Sequence, residues 1–198
     1  MDCCMTEERA GLPIIAFNDL AALERWLEAQ PAYSRGLWIR FAKAHSGIES
    51  VTKTEAIDAA LCYGWIDGQL DKYDEASWLI RFTPRKVRSK WSQVNRARAE
   101  ELLAAGRVRP GGLAQIEAAR ADGRWDAAYA PASKAQVPPD LQAALDQSPE
   151  AAAFFATLTG ANRYAILYRI EAVKKPEARA RKVARFIGML ERHETVHG

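Results

Sequence analysis

Every run that reads as a β-strand in this 198-residue chain lies before residue 85; beyond it the pattern is helix or loop. A strand alternates polar and apolar residues with period two, whereas a helix repeats apolar residues three and four apart. That change of period divides the chain into a mixed half and a helical half. In the first half, PIIAF (13–17) is a short apolar strand. Asn18 is placed as a helix N-cap, Leu20, Leu23, Trp26 and Leu27 follow at helical spacing, and Pro31 closes the helix. GLWIRFAKA (36–44) alternates as a strand. TKTE (52–55) is a capping box, and Gly64 supplies the left-handed stop for the helix between them. WIDGQLDKY (65–73) and ASWLIRF (76–82) then form two strands with Asp74 and Glu75 in the turn.

From Ser89 or Ser92 the period returns to helical, with Val94, Leu102 and Leu103 inward and Gly106 at the end. RPGG (109–112) reads as a turn before a further helix. Asp140, Ser148 or Pro149, and Thr159 are helix starts. Pro176 opens a last helix that buries Val183, Phe186, Ile187 and Leu190. The expected class is α+β: a small β-α-β-α-β-β sheet domain in the N-terminal half, followed by an all-helical C-terminal segment. The expected boundaries are a flexible N-terminus (1–12), a motif-bearing domain (13–130), a proline-bearing hinge (131–139) and the helical segment (140–198).

Apolar residues make up 48% and charged residues 27%, enough for a core without disulfides or metal. Cys3, Cys4 and Cys62 form no disulfide framework, which fits a reducing compartment. Positions 1–20 lack a basic n-region and an apolar h-region, and no run approaches the ~20 apolar residues of a spanning helix. The expectation is a cytoplasmic protein without a membrane span.

Charge is unevenly placed. Net charge is +3, yet residues 81–98, RFTPRKVRSKWSQVNRAR, carry seven basic side chains and no acid, so the remainder stands at −4. Thr83, Ser89, Ser92 and Asn95 add short donors, and the stretch runs into a helix N-terminus, where free N–H groups attract anions. Arg85 and Arg88 flank a proline-fixed turn. A guanidinium can grip a carboxylate or phosphate through two parallel hydrogen bonds, which lysine cannot do.

The strand pairing brings a second group there. If Ile66 points into the core, Trp65 and Asp67 share the opposite face, and Gly68 clears space beside them. The end of the next strand returns close to both, which puts Arg85 within reach of Asp67. The candidate ligand-binding residues are Trp65, Asp67, Arg85, Arg88, Ser89, Trp91, Ser92 and Asn95. Two aromatics, one acid and several donors suit a small anionic, ring-bearing or peptidic ligand. The alternative at the same residues is a structural one, with Asp67 pairing Arg85 to brace the fold.

The motifs ALCYGWIDGQ (59–68), FTPRKVRSKWSQVN (82–95), GRW with AY (123–129), VPPDLQAAL (137–145) and EAVKKPEARARKVARFIGML (171–190) together resemble the YdeI/OmpD-associated, or bacteriocin-protection (OmdA), family. The resemblance spans about residues 13–192. It implies a role in tolerance of bacteriocins and cationic antimicrobial peptides, and brings no reaction, cofactor or catalytic residue with it.

Conventional catalytic groups are scarce. His45, His193 and His197 are scattered, Cys62 lacks a histidine partner, and there is no GxGxxG or Walker A pattern. No metal and no cofactor is expected. An enzyme here would use Asp67 as base and the arginines as electrostatic stabilisers. A further reading is nucleic-acid binding through residues 81–98 together with the basic last helix. Nothing in the sequence sets an oligomeric state.

Overall fold

The computed structural model describes residues 7–31, 33–131, 134–158 and 160–197. They fall into two compact units, one ending at Tyr129 and one starting at Ala130. The first unit holds β1 (Glu8–Arg9), β2 (Leu12–Ala16), α1 (Leu20–Glu28), β3 (Leu37–Ala42), α2 (Lys53–Tyr63), β4 (Trp65–Lys72), β5 (Ser77–Pro84), α3 (Gln93–Ala104) and α4 (Pro110–Ala121). The strands form one sheet in the order β1-β2-β3-β5-β4, so β4 is an edge. β2 and β3 run parallel across the α1 crossover, and the other pairs are antiparallel. The mixed α+β class and the six expected elements are present, and β1 is an addition that the sequence pattern did not reveal.

Period two puts Leu37, Ile39 and Phe41 of β3 on one face with Ile80 and Phe82 of β5. There they pack against Leu23 and Leu27 of α1 and the alanines Ala56, Ala59 and Ala60 of α2. Each large side chain buried this way contributes about 1.5–3 kcal/mol, and the alanines let α2 lie close to the sheet. The opposite face buries Leu12, Trp38 and Leu79. The N-terminal segment crosses it: Arg9 Nη1 meets Asp71 Oδ2 at 2.7 Å, and Trp38 Nε1 donates to the Arg9 carbonyl at 3.0 Å.

The local signals held with two corrections. The Thr52–Glu55 capping box is complete, and Gly64 ends α2 at φ 80°. The cap of α1, however, is Asp19 rather than Asn18, its carboxylate accepting from Ala22 N at 2.7 Å. Val94 was expected inside but is 57% exposed. It occupies the first turn of α3, whose buried residues are Ala99 and Leu102.

RPGG does more than make a turn. Pro110 is the first residue of α4, and Gly111 and Gly112 lie against the end of α2. A Cβ on Gly112 would sit 2.2 Å from the Cys62 carbonyl oxygen, so the two helices meet only because side chains are absent. Around that crossing a second cluster forms from Leu61, Cys62, Trp91, Leu102, Ile116 and Trp125. Asp58, buried on α2, takes both Nε and Nη2 of Arg98 and so ties α2 to α3.

The second unit contains α5 (Pro139–Asp146), α6 (Pro149–Thr157), α7 (Gly160–Glu171) and α8 (Pro176–Glu191). Leu141, Leu145, Phe155, Ile166, Ile170 and Phe186 are among the residues of its own core. Val183, Phe186 and Leu190 of α8 are buried as expected, with Ile187 partly so. Ser148 caps α6, and Arg179 of α8 forks onto Asp140 of α5 at 2.6 and 3.0 Å. The expected helix start at Thr159, and the cysteines Cys3 and Cys4, lie outside the described residues.

Candidate functional site

The β4–β5 register sets the site. Trp65 pairs with Pro84, Ile66 with Thr83 and Asp67 with Phe82, so the end of β5 does return beside WIDG. Proline fixes the backbone at 84, and the Arg85 N–H then donates to the Gly64 carbonyl at 2.9 Å. The helix-stop glycine and the strand-ending proline therefore position Arg85 together.

Arg85 is only 6% exposed. Its guanidinium carbon lies 3.6 Å from the centroid of Trp91, a cation–π contact. Trp91 is buried beneath it and meets Trp125 edge-on, at 4.8 Å and 62°. Nη1 makes a long hydrogen bond to the Lys90 carbonyl at 3.3 Å. Among the described residues, Nε and Nη2 have no acceptor, and neither has the indole Nε1 of Trp91. Each buried donor left unmatched costs about 1–3 kcal/mol, more when it carries charge. Burial pulls the Arg85 guanidinium well below its ordinary value, down to about 10, with Asp67 and Tyr129 pushing it up and Arg124 pushing it down. It is thus still charged at neutral pH.

Asp67 corrects the face argument. Trp65 is in the helix-covered core, 4% exposed and edge-on to Trp26 at 5.6 Å, while Ile66 is only half-buried on the other side. Asp67 shares the Trp65 face, but that face is the core side of the edge strand. The reason is the Gly64 turn, which delivers the first residue of β4 inward. Gly68 sits in the register shift between Asp67 and Leu70, so it serves a bulge. Asp67 is half-buried and close enough for its charge to act on Arg85, yet the two form no ion pair within 4.0 Å. The bracing pair is therefore not made, and the Asp67 carboxylate has no hydrogen-bond partner among the described residues.

The Ser89 and Ser92 hydroxyls, expected to bind an anion, also accept backbone N–H groups. Ser89 Oγ accepts from Lys86 N at 2.9 Å. Ser92 Oγ caps α3 by accepting from Asn95 N at 3.0 Å. The Asn95 side chain is half-exposed and Arg88 is exposed. Two residues that sequence reasoning passed over hold this corner from the segment read as loop. Arg124 Nη1 donates to the Ser89 carbonyl at 2.9 Å, and the Tyr129 backbone clamps Trp91 and Gln93 at 3.0 and 2.9 Å. The GRW and AY signals marked them, but nothing in a loop composition says which strand end it will meet.

Trp65 and Arg85 also line a cleft of about 420 Å³ with Tyr63, Arg109, Gly111 and Gln115. The first turn of α4 opens on it without a side-chain cap. The Tyr63 hydroxyl beside Arg109 is the chief cause that raises its pKa, with Glu28 and Glu24 adding opposing charge. Among the described residues, no group of three or more His, Cys, Asp or Glu is arranged to hold a metal ion.

Comparison with known families divides the chain where the structure does. No curated protein and no solved structure matches it. Residues 134–193 match the family described as Bacteriocin-protection, YdeI or OmpD-Associated (OmdA), within the helical second unit. Residues 15–115, about half of the chain, match a Domain of unknown function (DUF8412), a span that holds the end of β2, all of β3 to β5 and every candidate site residue. Of the motifs behind the sequence resemblance, those at 59–68 and 82–95 fall in the first match, those at 137–145 and 171–190 in the second, and GRW with AY (123–129) in neither. The chain belongs to the DUF8412 family, and its C-terminal unit matches the OmdA family model over residues 134–193.

Proposed function

We propose that this protein binds a small anionic, aromatic or peptidic ligand at Arg85, with Trp65, Asp67 and Trp91 as its surroundings. The flanking Arg88, Ser89, Ser92 and Asn95 frame that corner. The observation that carries the reading is a charged guanidinium, buried on an indole, with two N–H groups lacking an acceptor. A fold gains nothing by keeping such a group, whereas a binding site does, because an incoming anion satisfies it. The description of the OmdA family as bacteriocin-protection proteins supports a role in antimicrobial tolerance. A cytoplasmic place belongs to the same reading. Among the described residues, no helix is long and apolar enough to cross a membrane.

The nucleic-acid reading draws less support. Of the seven basic groups in 81–98, Arg85 is buried, Arg98 is held by Asp58 and Glu101, and Arg96 donates to the Trp125 carbonyl. Thermal shift against a panel of metabolites and peptides tests the proposal. Saturable stabilisation of the wild type that Arg85→Ala lacks is the expected result. Wild type and variant left equally unshifted across the panel would remove the site.

A further inference from the structure

The unmatched nitrogens of Arg85 are a particular pair, and the pair selects the ligand. Nη1 lies on the Cδ side of the guanidinium and is committed to the Lys90 carbonyl. Nε and Nη2 form the opposite edge, where two N–H bonds run parallel in one plane, and both lack an acceptor. A carboxylate presents two oxygens in one plane and matches that edge with two hydrogen bonds at once. The guanidinium face is already covered by Trp91, so an anion is restricted to the edge. This favours a flat group over a tetrahedral one, whose remaining oxygens would lie out of the guanidinium plane, one of them towards the indole.

A lone carboxylate would leave the second charge of the corner unanswered. Asp67 acts electrostatically on Arg85 but does not close on it, and has no partner of its own among the described residues. Arg124, the other charged group that Arg85 feels, is held by Asp122 and the Ser89 carbonyl. Of the acids and bases around the guanidinium, Asp67 alone among these is an unanswered negative charge. A ligand carrying an ammonium beside its carboxylate would answer both charges.

We infer that the Arg85 edge receives a carboxylate and that Asp67 receives a cationic amine on the same ligand, so the ligand is a zwitterion of the amino-acid or short-peptide class. The inference rests on the binding role proposed above and narrows it. The nitrogens are shielded in this structure, so the covering side chains must move for the ligand to enter.

The test uses the full chain with glycine, L-alanine, L-phenylalanine and glycylglycine as zwitterions. Acetate lacks the amine, glycinamide lacks the carboxylate, and inorganic phosphate is the tetrahedral anion. Affinity is read by calorimetry, and the Arg85 Nε–H resonance is followed by nitrogen-15 NMR in the wild-type protein. The expected result is a downfield shift of that proton with at least one zwitterion. Acetate, glycinamide and phosphate should bind at least tenfold more weakly. Arg85→Lys should lose at least tenfold in affinity. Asp67→Asn should abolish the preference for the zwitterion over the matching acid. Preference for the single amino acids or for glycylglycine then tells which source supplies the ligand. If phosphate moves the Nε–H and the zwitterions do not, the inference falls while the binding role stands. If no probe moves that resonance and Arg85→Lys behaves as wild type, both fall. The NMR arm needs no variant, so a poorly folded Arg85→Lys leaves the test intact.

Discussion

Replacing Arg85 with methionine separates a ligand site from a structural latch by the sign of one number. The fall of the Arg85 ionisation from its ordinary value to about 10 corresponds to about 3 kcal/mol of unfavourable burial at neutral pH. Against it stand the Trp91 stack at 3.6 Å, about 1–2 kcal/mol, and the 3.3 Å bond to the Lys90 carbonyl, about 0.5 kcal/mol at that length. Methionine keeps a flexible apolar chain against the indole and regains about 0.3–1.5 kcal/mol of sulfur–aromatic contact. The balance makes the unliganded Arg85→Met protein as stable as wild type or more stable by about 1–2 kcal/mol. In a chain of this length each kcal/mol moves the midpoint by about 2–4 °C.

Thermal and urea unfolding without ligand read the change, with the urea slope as a check that the unfolded state is unaltered. A loss of 3 kcal/mol or more would refute the reasoning, because that is the penalty for removing one member of a working buried ion pair. The pH dependence carries the same sign. Because the folded ionisation is depressed, the unfavourable term is fully present below about pH 10. It is relieved as pH rises from there towards the ordinary arginine value, a window in which the unfolded chain still holds its proton. The advantage of Arg85→Met should therefore shrink across that alkaline window.

Other predictions concern the frame around the site. Gly112→Ala should destabilise the first unit by about 3 kcal/mol or more, since its Cβ would meet the Cys62 carbonyl oxygen at 2.2 Å; an unchanged midpoint would mean that α2 and α4 are not in close contact. Thr52→Ala should lower stability by about 1 kcal/mol through loss of the α2 cap. The same cap holds Glu55 below its ordinary carboxylate range, chiefly by the hydrogen bond from the Thr52 backbone N–H. Its contribution is present above that range and lost as pH falls through it, so the acid side of a stability profile should flatten in a Glu55→Ala variant. Cys62 is buried and its thiol is pushed up chiefly by desolvation. Peptide-level alkylation should leave it unmodified in the native protein and modify it on unfolding; ready native labelling would contradict the packing of α2 against α4.

Short-range chemistry made most of the fold legible. Thr52, Glu55 and Gly64 bound α2 because caps and left-handed stops depend on neighbours within four residues. The period of the apolar residues separated strands from helices for the same reason. Asn18 and Asp19 are both competent caps one residue apart, and only the α1 packing chose between them. Trp65 shows where that reasoning ends. Alternation told that Trp65 and Asp67 share a face, but not which face, because the sense of entry into β4 depends on how the Gly64 turn docks on the sheet. The glycines of RPGG were visible as residues, but their reason was not: they exist for a helix some fifty positions earlier in the chain.

The sequence by itself determined that Asp67, Arg85 and Trp91 would converge, since a hairpin with a short turn returns its second strand to the start of its first. It also determined the confinement of strands to the first half, through local periodicity. The tertiary structure decided what the convergence became. Packing buried Arg85 on Trp91, committed Ser89 and Ser92 to the backbone, and held Asp67 short of an ion pair with Arg85. Such outcomes depend on distances of about 1 Å between elements far apart in the chain, set by the sum of all contacts in the core and not by any local run of residues.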